Sequence, residues 1–503
     1  MSSDRQPQTP TPSSVPGTAA PPAHGAQRSG RRAGAPPRTA LAIVLGRASG
    51  GLARRLGISG GTSLPGLVAQ YTDPQLIRRL AAQARHGCVV VTGTNGKTTT
   101  SGLVAYTLRA AGLRIWRNRE GSNLARGIAT TLLRRAGPTG RLESEGDGAF
   151  VLEVDEAAFA RIATDLQPRV VLVTNLFRDQ LDRYGEVDTV AERWRESLRK
   201  LPATTTLALN ADDPAVAALA DGYAGPTLYY GVEQTPTHAD SDSVAQVIDT
   251  RTCPRCRAPL DFAPRFYSHI GHWSCPRCGY SRPTPQVRAQ VISAGLTNSR
   301  FVVETPMGST EVTVGLPGLY NVYNALAAAT AAVAMSAPLD AITTGLGRFT
   351  PAFGRAEEIE ADGRRIRILL TKNPTGLNEV LRALASDRAA GNKRLLMLLN
   401  DRAADGEDVS WIWDADFEQL AGTTAYLVAG GVRAYDLALR LKYIGDEPQY
   451  VNTDIGAALT HALEHTPAGE TLYIIPTYTA MLAVRGELER RGYTPRYWEQ
   501  EDA

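Results

Sequence analysis

The chain has 503 residues, more than one hydrophobic core usually organises, so we expect two or three domains. Hydrophobic residues make up 43% of the sequence and charged residues 21%, which is ordinary for a soluble globular protein. The formal charge is +3, but residues 1–40 hold five arginines and one aspartate, which leaves the remainder at about −1. The body of the chain therefore lacks the basic surface expected of a nucleic-acid-binding protein.

Residues 1–40 are predicted to be a disordered tail, because they contain eight prolines, no aromatic residue and few large aliphatic side chains. The apolar stretch Leu41–Leu45 is too short to cross a membrane, and no later run approaches the length required. We therefore expect a cytoplasmic protein. Arg54, Arg55 and the tail would make at most peripheral contact with an anionic membrane surface.

A glycine-bearing loop lies between a strand candidate, Cys88–Thr92, and a helix candidate, Ser101–Ala111. Its residues are Gly93, Thr94, Asn95, Gly96, Lys97, Thr98 and Thr99. At such a junction backbone N–H groups and the helix dipole favour phosphate, a lysine reaches the terminal phosphates, and a threonine hydroxyl binds magnesium. The loop is shorter than the general G-x-x-x-x-G-K-[ST] pattern, since Val91 stands at its first glycine. The alternative is a tight turn with a solvated lysine; the context favours binding of ATP or a close relative.

Four of the five cysteines form two C-x-x-C pairs, Cys253 with Cys256 and Cys275 with Cys278. Two such pairs, 18 residues apart, place four thiolates around a tetrahedral zinc. A closed four-sulfur shell has no open position, so this zinc is predicted to be structural. Disulfides or redox motifs are the alternative.

No chemical role is predicted for the two histidines between the cysteine pairs or for the fifth cysteine. His269 and His272, between the cysteine pairs, are expected to be surface residues because four sulfurs already complete the zinc shell. Cys88 begins a strand of valines and is expected to be a small buried side chain.

From Cys88 onward strand and helix patterns alternate, which predicts a parallel sheet with helices on both faces. The strand candidates are Cys88–Thr92, Ala149–Val154, Val170–Thr174 and Thr206–Leu209, and the helix candidates are Ser101–Ala111, Ala125–Arg134 and Thr189–Lys200. An earlier helix is predicted over Pro74–Gln83, after a turn-rich segment at Gly60–Gly66.

The alternation stops near Gln234, and we predict an insertion over residues 240–300 that contains the zinc ribbon. Strands around Val287–Ala294 and Arg300–Glu304 would complete the insertion. The sheet domain would then resume with Val312–Leu316 and an alanine-rich helix, Asn321–Met335.

A second α/β unit is predicted to begin near Ala361, which gives a central domain over residues 41–355 and a C-terminal Rossmann-like domain over residues 356–503. Its strand candidates are Ile366–Leu370, Leu395–Leu399, Ala425–Val428 and Leu472–Ile475, and its helix candidates are Leu377–Leu384, Arg433–Leu441 and Ala480–Arg491.

Acidic and amide side chains follow two of the predicted central strands. They are Glu153, Asp155 and Glu156 after one strand, and Asn175, Asp179 and Asp182 after the other. Parallel sheets bind ligands at the carboxyl ends of their strands, and carboxylate oxygens suit magnesium. The alternative is a set of solvated loop residues; two clusters beside a phosphate loop favour metal binding.

Several motifs, in order and spacing, resemble the Mur ligase family from about residue 60 to the C-terminus. They are Gly93–Thr99, Leu152–Glu156, Thr174–Gly185, Leu209–Asp213, Gly318–Asn324 and Phe353–Glu357. The resemblance implies a P-loop central domain that uses ATP to convert a carboxylate into an acyl phosphate, which an amine then attacks. It also implies roles for single residues: Thr98 and Glu153 at magnesium, Lys97 at the phosphates, Asn210, Asp213 and Asn324 around adenosine, and Arg355 at the phosphate from a hinge.

Three positions depart from the amino-acid-adding members of that family. Gln180 replaces a magnesium-binding histidine, and Arg195 stands where those members carry a carbamylated lysine. Thr371–Leu377 replaces an acidic-Ala-His stretch. An amide oxygen still serves a hard cation, more weakly, but an arginine cannot be carbamylated in that way. The departures argue against an ordinary amino-acid ligase.

These departures and the inserted cysteine pairs resemble the MurT-type branch of the family, the ligase subunits of lipid II isoglutaminyl synthases. Lys372–Gly376 and Asp405–Asp414 resemble the C-terminal domain of that branch. The resemblance implies ATP-dependent amidation of the D-glutamate α-carboxylate of lipid II, giving D-isoglutamine. It also implies a heterodimer with a GatD-type glutaminase that supplies ammonia.

A partner is also expected because no cysteine here suits glutamine hydrolysis, which needs an activated thiolate. The resemblance implies that an aspartate of this chain completes the catalytic pair of the glutaminase. The motif assigns this role to Asp408, with Asp401 and Asp405 as alternatives. Trp411 and Trp413, on the same loop, are equally compatible with core anchors and with interface anchors.

Two other functions remain open on the sequence. One is an amino-acid ligase of the same fold, such as a folylpolyglutamate or muropeptide ligase, which Arg195 and the zinc ribbon disfavour. The other is an ATP-switched nucleic-acid-binding module that uses arginines of the ribbon, which the near-neutral body disfavours.

Overall fold

The structure, a computed structural model, describes residues 36–55, 63–118, 121–178, 187–236, 249–350, 355–386 and 393–495. Strands in these ranges form a nine-stranded, a six-stranded and a two-stranded sheet. Among the described residues, no helix combines the length and apolar character needed to cross a bilayer.

Three helices precede the first strand: α1 (Pro37–Arg55), α2 (Leu64–Thr72) and α3 (Leu76–Ala81). The structure corrects the predicted tail, because α1 begins at Pro37 and the rest of the tail, residues 1–35, lies outside the described residues. It also corrects the turn-rich segment, which becomes helical at Leu64. Both helices form because they bury one face: Ala42 and Ile43 of α1 join the same core as Ala69 of α2.

The central strands form the nine-stranded sheet and a separate hairpin. They are β1 (Cys88–Thr92), β2 (Ile115–Arg117), β3 (Ala149–Glu153), β4 (Val170–Val173), β5 (Thr206–Asn210), β6 (Thr227–Gln234), β7 (Asp261–Tyr267), β8 (Ile270–Ser274), β9 (Val287–Ala294), β10 (Ser299–Thr305) and β11 (Gly308–Val314). The order in the large sheet is β11-β10-β9-β6-β5-β4-β1-β3-β2. The strands from β2 to β9 in this order pair in parallel, and β10 and β11 are antiparallel.

Helices cover both faces of this sheet, which confirms the predicted fold class. They are α4 (Lys97–Ala110), α5 (Ala125–Arg134), α6 (Glu156–Leu166), α7 (Val187–Leu198), α8 (Pro214–Ala217), α9 (Leu319–Ala334) and α10 (Leu339–Gly347). In β1, Val89 and Val91 face the core under α4, α9 and α10, whereas Cys88 and Val90 face the core under α1–α3 and α5–α7. The strand reads as a continuous apolar run because both of its faces are buried.

The structure narrows the insertion predicted over residues 240–300. Within its described part, residues 249–300, only the strands β7 and β8 pair apart from the large sheet, as a two-stranded antiparallel hairpin. β9 pairs in parallel with β6, with Val232 opposite Ala289, and β10 continues the sheet from β9. β9 alternates buried and exposed residues. A strand of a free-standing ribbon would show the same alternation, and this is why the sequence predicted β9 to be part of the insertion.

The C-terminal sheet has the order β12-β13-β17-β14-β15-β16, parallel except for β12. Its elements are β12 (Arg355–Ala361), β13 (Arg364–Leu369), α11 (Pro374–Ser386), β14 (Lys393–Leu398), β15 (Thr424–Gly430), α12 (Ala434–Tyr443), β16 (Tyr450–Asn452), α13 (Ile455–Glu464), β17 (Thr471–Pro476) and α14 (Tyr478–Arg490). All predicted elements of this unit are present, and β12, β16 and α13 are additional.

Candidate active site

The phosphate loop connects β1 to α4 in a conformation that requires its two glycines. Gly93 and Gly96 have positive φ angles of 129° and 82°. A Cβ atom at Gly93 would collide with the hydroxyl of Thr174, and one at Gly96 with the side-chain amide of Asn324. The loop is therefore held tightly between the end of β4 and the start of α9.

Asn175 fixes the tip of this loop. Its Oδ1 accepts a hydrogen bond from the Asn95 backbone N–H at 2.8 Å, and its Nδ2 donates to the Asn95 carbonyl at 3.2 Å. The Thr94 hydroxyl donates to the Phe177 carbonyl at 3.1 Å. The end of β4 thus sets the shape of the loop, while the magnesium binding predicted for this strand end stays a prediction.

Lys97 lies inside the loop and is almost completely buried. Its Nζ donates to the carbonyls of Gly93 and Thr94 at 2.6 and 3.0 Å, and it forms an ion pair with Glu156 at 3.0 Å. Glu156 therefore neutralises the buried ammonium and does not line the cavity beside the loop. The third acid of this cluster, Asp155, caps α6 by accepting from the Ala157 N–H.

Thr98 and Glu153 form the pair predicted for magnesium. The Thr98 hydroxyl donates to Glu153 Oε2 at 2.7 Å, and both residues line the cavity. Asn118, which sequence reasoning missed, holds the Glu153 backbone with two hydrogen bonds of 2.9 Å each. A hydroxyl and a carboxylate with oxygens at this separation are the donor set that a hard divalent cation prefers.

A cavity of about 420 Å³ opens between the phosphate loop and the C-terminal sheet. Lining residues from the central domain are Thr94–Thr99, Gly121, Asn123, Leu124, Glu153, Asp155, Asn175, Phe177, Tyr267, Leu316, Tyr320, Asn321 and Asn324. Those from the C-terminal domain are Leu369–Asn373, Thr375, Gly376, Glu379, Val380, Ala404 and Tyr478. The volume is in the range of small-molecule sites.

One side-chain pair joins the two walls of the cavity. Asn373 Nδ2 donates to Asn95 Oδ1 at 3.0 Å, and Asn373 Oδ1 accepts the Gly376 N–H at 2.8 Å. The stretch Thr371–Leu377, noted in the sequence as a departure, therefore faces the phosphate loop directly. Glu379 lies on the same wall, fully buried, and its burial raises the pKa of the carboxyl.

The three residues proposed around adenosine do not lie together. Asn324 lines the cavity and donates to Asn321 Oδ1 at 2.9 Å. Asn210 and Asp213 are outside the lining and fully buried: Asn210 donates to the Thr174 carbonyl at 3.2 Å, and Asp213 accepts the Leu176 N–H at 2.9 Å. Both residues hold the segment Thr174–Leu176 by hydrogen bonds, and this segment in turn supports the phosphate loop.

The other predicted positions are peripheral or outside the described residues. Arg195 lies on α7 away from the cavity lining, where it forms an ion pair with Glu192 and donates to the Ala218 carbonyl at 3.3 Å. The backbone of Arg355 begins β12, but its side chain is not among those described. Asp179, Gln180 and Asp182 lie outside the described residues.

The four cysteines of the two pairs converge at the base of the β7–β8 hairpin. Their sulfur atoms all lie within 4.8 Å of one another, with Sγ–Sγ distances of 3.6 Å for Cys253–Cys278 and 3.4 Å for Cys256–Cys275. A tetrahedral zinc with Zn–S bonds of about 2.3 Å separates its sulfurs by about 3.8 Å. The cluster fits that ion in number, chemistry and spacing.

The two pairs also share one backbone geometry. The N–H groups of Arg255 and Cys256 donate to the Cys253 sulfur, and those of Arg277 and Cys278 donate to the Cys275 sulfur. Such bonds stabilise a thiolate, the form that binds metal.

The hairpin packs on the central domain rather than standing free. Trp273 Nε1 donates to the Ala211 carbonyl at 2.9 Å, and Asp212 forms a buried ion pair with Arg282 at 2.5 Å. At the opposite end, Tyr267 lines the cavity and the Phe266 carbonyl accepts from Arg382 of α11 at 3.3 Å. The hairpin therefore bridges the cysteine cluster and the cavity.

The prediction that His269 is a surface residue was wrong. Its ring is completely buried at the hairpin turn, with Nε2 3.4 Å from Asp213 Oδ2 and its ring 4.7 Å from that of Phe177. His272 is partly buried and contacts the Val232 carbonyl at 2.9 Å. The aromatic residues beside His269 in the sequence were a signal that this turn is a packed one.

The three aspartates proposed for the partner's site have different surroundings. Asp405 is buried and accepts the Thr479 N–H at 2.7 Å, and Asp401 forms an ion pair with Arg433 at 3.3 Å. Asp408 is exposed, and a hydrogen bond from the Ser410 N–H lowers the pKa of its carboxyl. Of the three, Asp408 combines exposure with an ionised carboxylate, and it forms no ion pair with the described residues.

The two tryptophans of the Asp408 loop divide between core and surface. Trp411 packs on the core under α11 and α12. Trp413 is 47% exposed, and the centre of its ring lies 5.2 Å from that of Tyr443.

Cys88 is buried as expected, and its burial raises the pKa of the thiol to about 12, which removes it as a nucleophile at neutral pH.

Two family models match parts of the chain. A family model of the Mur ligase middle domain matches residues 91–252, and a model of the MurT ligase C-terminal domain matches residues 370–481. The lipid II isoglutaminyl synthase (glutamine-hydrolyzing) subunit MurT of Streptococcus pneumoniae is 34% identical over 458 residues, 90% of this chain and 98% of that protein. Its counterpart from Staphylococcus aureus is 34% identical over 433 residues, 86% of this chain and 93% of that protein.

Solved structures show the same fold at lower identity. A pseudomurein peptide ligase type C from Methanothermus fervidus superposes with a TM-score of 0.63 at 23% identity, over 82% of this chain and 80% of that one. MurF from Acinetobacter baumannii superposes with a TM-score of 0.60 at 18% identity, over 84% and 81%.

Proposed function

Because the chain belongs to the MurT family of Mur-type ligase subunits, we propose that it amidates the D-glutamate α-carboxylate of lipid II to D-isoglutamine. It is an ATP-dependent carbon–nitrogen ligase of peptidoglycan synthesis. The observation that carries the proposal is the hydrogen bond between Thr98, at the phosphate loop, and Glu153, at the end of β3, in a cavity whose other wall includes the Thr371–Leu377 stretch.

In the proposed reaction, the substrate carboxylate attacks the γ-phosphate of ATP and ADP leaves, so that an acyl phosphate forms. Lys97 and the N–H groups at the start of α4 stabilise the negative charge of the phosphates. Thr98 and Glu153 would hold a magnesium ion, which would offset charge on the same phosphates when bound. Ammonia then attacks the acyl carbon and inorganic phosphate leaves.

The two-domain cavity suits a reactive intermediate of this kind. Water would hydrolyse an acyl phosphate, so the site has to exclude it while ammonia enters. Asn373 contributes by closing the C-terminal wall against Asn95 of the phosphate loop. Of the residues proposed around the nucleotide, Asn324 is in contact with the cavity. We assign Asn210 and Asp213 a supporting role, and a phosphate contact by Arg355 stays a prediction.

We further propose that the partner is a GatD-type glutaminase that binds the C-terminal domain. The described cysteines offer no nucleophile for glutamine, since Cys88 is buried and the other four form one cluster. Beside the Asp408 loop, α12 exposes Tyr435, Leu439 and Tyr443, and Val432 and Trp413 are exposed outside the helix, with Trp413 in contact with Tyr443. Aromatic residues on an exposed patch are typical of protein interfaces.

The remaining proposals concern metal and location. We assign a structural zinc to Cys253, Cys256, Cys275 and Cys278, because the sulfur geometry fits a closed tetrahedral shell. Since lipid II is membrane-bound, we also propose that the heterodimer acts at the inner face of the cell membrane.

The decisive experiment incubates the chain with the candidate glutaminase, ATP, glutamine and lipid II, followed by mass spectrometry of the stem peptide. Conversion of the carboxylate to an amide lowers the mass by roughly one unit and requires both subunits. Unchanged lipid II with an active glutaminase would refute the amidation. Addition of an amino acid instead of ammonia would favour the alternative ligase.

Asp408 has a separate test. Asp408→Asn should abolish the use of glutamine but leave amidation with free ammonium intact, because the ligase cavity is elsewhere. Glu407→Gln, at the neighbouring exposed position, is the matched control and should keep both activities. Full glutamine use by Asp408→Asn would discard the assignment.

A further inference from the structure

Helix α1 has two apolar faces, and only one of them is covered by the described residues. Ala42, Ile43 and Ala53 are buried against the core shared with α2 and α5. The opposite face exposes four aliphatic side chains: Leu41 by 53%, Val44 by 48%, Leu45 by 41% and Leu52 by 59%. With a turn of about 100° per residue, these four lie within an arc of about 100°.

The charged residues of α1 itself are all basic. The sequence of α1 contains Arg38, Arg47, Arg54 and Arg55 and no acidic residue. At about 100° per residue, Arg55 falls within the aliphatic arc and Arg38 lies about 20° beyond one of its edges. Residues 1–35 add four more arginines and one aspartate, but contain no leucine, isoleucine, phenylalanine, tyrosine or tryptophan to fill an apolar surface.

We propose that this face of α1 docks on an anionic lipid surface, with the helix lying in the plane of the interface. Aliphatic side chains would enter the boundary between headgroups and acyl chains, while flanking arginines meet lipid phosphates. A helix of 19 residues with four arginines suits this arrangement and not a span, in agreement with its failure as a membrane-crossing segment.

A lipid fits this face better than a protein does, as α12 illustrates. The exposed surface of α12 combines two tyrosines with charges of both signs, including Arg433 and Asp436, which form an ion pair. The α1 face has no aromatic residue and one sign of charge. Protein interfaces favour aromatic anchors, whereas anionic membranes attract aliphatic helices flanked by arginine.

The position of α1 connects the lipid surface to the candidate active site. Arg47 of α1 donates to the Ala136 carbonyl at 2.5 Å, just beyond the C-terminal end of α5. At the other end of α5, Asn123 and Leu124 line the cavity. A ten-residue helix is about 15 Å long, so one short helix separates the docked surface from the cavity. The link between the docked face and the active site rests on the proposed function, whereas the docking itself does not.

The test measures flotation of the full chain, in complex with its glutaminase, on phosphatidylcholine vesicles with and without phosphatidylglycerol. The double variant Leu45→Gln/Leu52→Gln removes apolar contact from two exposed positions without disturbing the buried face. We expect wild-type binding to anionic vesicles that falls with salt, and a loss of about tenfold or more in the double variant. Ile292→Gln/Leu482→Gln, at exposed apolar positions elsewhere, is the matched control and should bind as wild type does.

Three outcomes would overturn the proposal: no wild-type flotation on anionic vesicles, equal flotation of the double variant, or equal binding to neutral vesicles. Light scattering adds a fourth, because a larger assembly that the double variant dissolves would make the face a contact between copies. Amidation of detergent-solubilised lipid II should be unchanged in the double variant, and amidation in vesicles slower. If wild-type protein fails to amidate even in detergent, the proposed function fails while flotation still decides the docking.

Discussion

The phosphate-loop cavity and the cysteine cluster are built over very different lengths of chain. The cluster takes all its ligands from residues 253–278, through two similar backbone turns. The cavity combines residues 94–99, Glu153, Asn324 and residues 369–380, and so depends on both sheets. A short-range site is specified by local spacing, whereas a long-range one exists only after the domains have packed. Damage to the first should therefore alter folding, and damage to the second should alter chemistry.

The largest expected effect is on turnover. Lys97→Ala should lower kcat for amidation by about 100-fold or more, because a preorganised cation near the phosphates is lost. Zinc content should stay unchanged, since all four sulfur ligands come from residues 253–278. Wild-type turnover in this variant would break the assignment of the phosphate loop. Lys200→Ala, an exposed lysine just after α7, controls for loss of charge alone.

The cysteine cluster should respond in the opposite way. Cys275→Ser should abolish stoichiometric zinc binding and lower the free energy of unfolding by about 3 kcal/mol, because the metal contributes directly to folding. Zinc analysis and chemical denaturation measure the two effects. Cys88→Ala is the control, and it should keep its zinc. Retention of zinc by Cys275→Ser would contradict a four-sulfur site.

A smaller effect is expected where the two domains meet. Asn373→Ala should reduce kcat/KM for ATP by about tenfold, because the hydrogen bond to the Asn95 side chain is lost. Asn95→Ala is the partner variant, since the Asn175 contacts use only the Asn95 backbone. A double-mutant cycle should give a coupling energy of about 1 kcal/mol. Additive losses would show that the two walls act independently.

The smallest effect tests whether the two regions are separate at all. His269→Phe keeps the buried ring but removes the contact with Asp213, and it should reduce turnover by about fivefold with full zinc content. Normal turnover would mean that the hairpin serves only the cysteine cluster. His465→Phe, at the exposed C-cap position that follows α13, is the control.

The helices and strands that the sequence predicted best are those whose apolar pattern is regular over a few neighbouring residues. β1 and α5 were predicted to the residue, because one has two buried faces and the other a regular apolar period. Acids beside the phosphate loop were predicted because parallel strands end at one edge, and the resemblance to the Mur ligase family selected Glu153 among them as the partner of Thr98. Asn118 and Asn373 were not, since their roles depend on partners far away in the chain. β9 was separated from the sheet because a half-exposed strand has the same pattern in a ribbon.

The Asn95–Asn373 contact has a consequence for inhibition. A compound anchored on one wall of the cavity would leave the two sheets free to move relative to each other. A compound that formed hydrogen bonds with the side chains of both Asn95 and Asn373 would connect the two domains. Its binding should raise the melting temperature of the whole chain, whereas an inhibitor of one wall should protect a single domain.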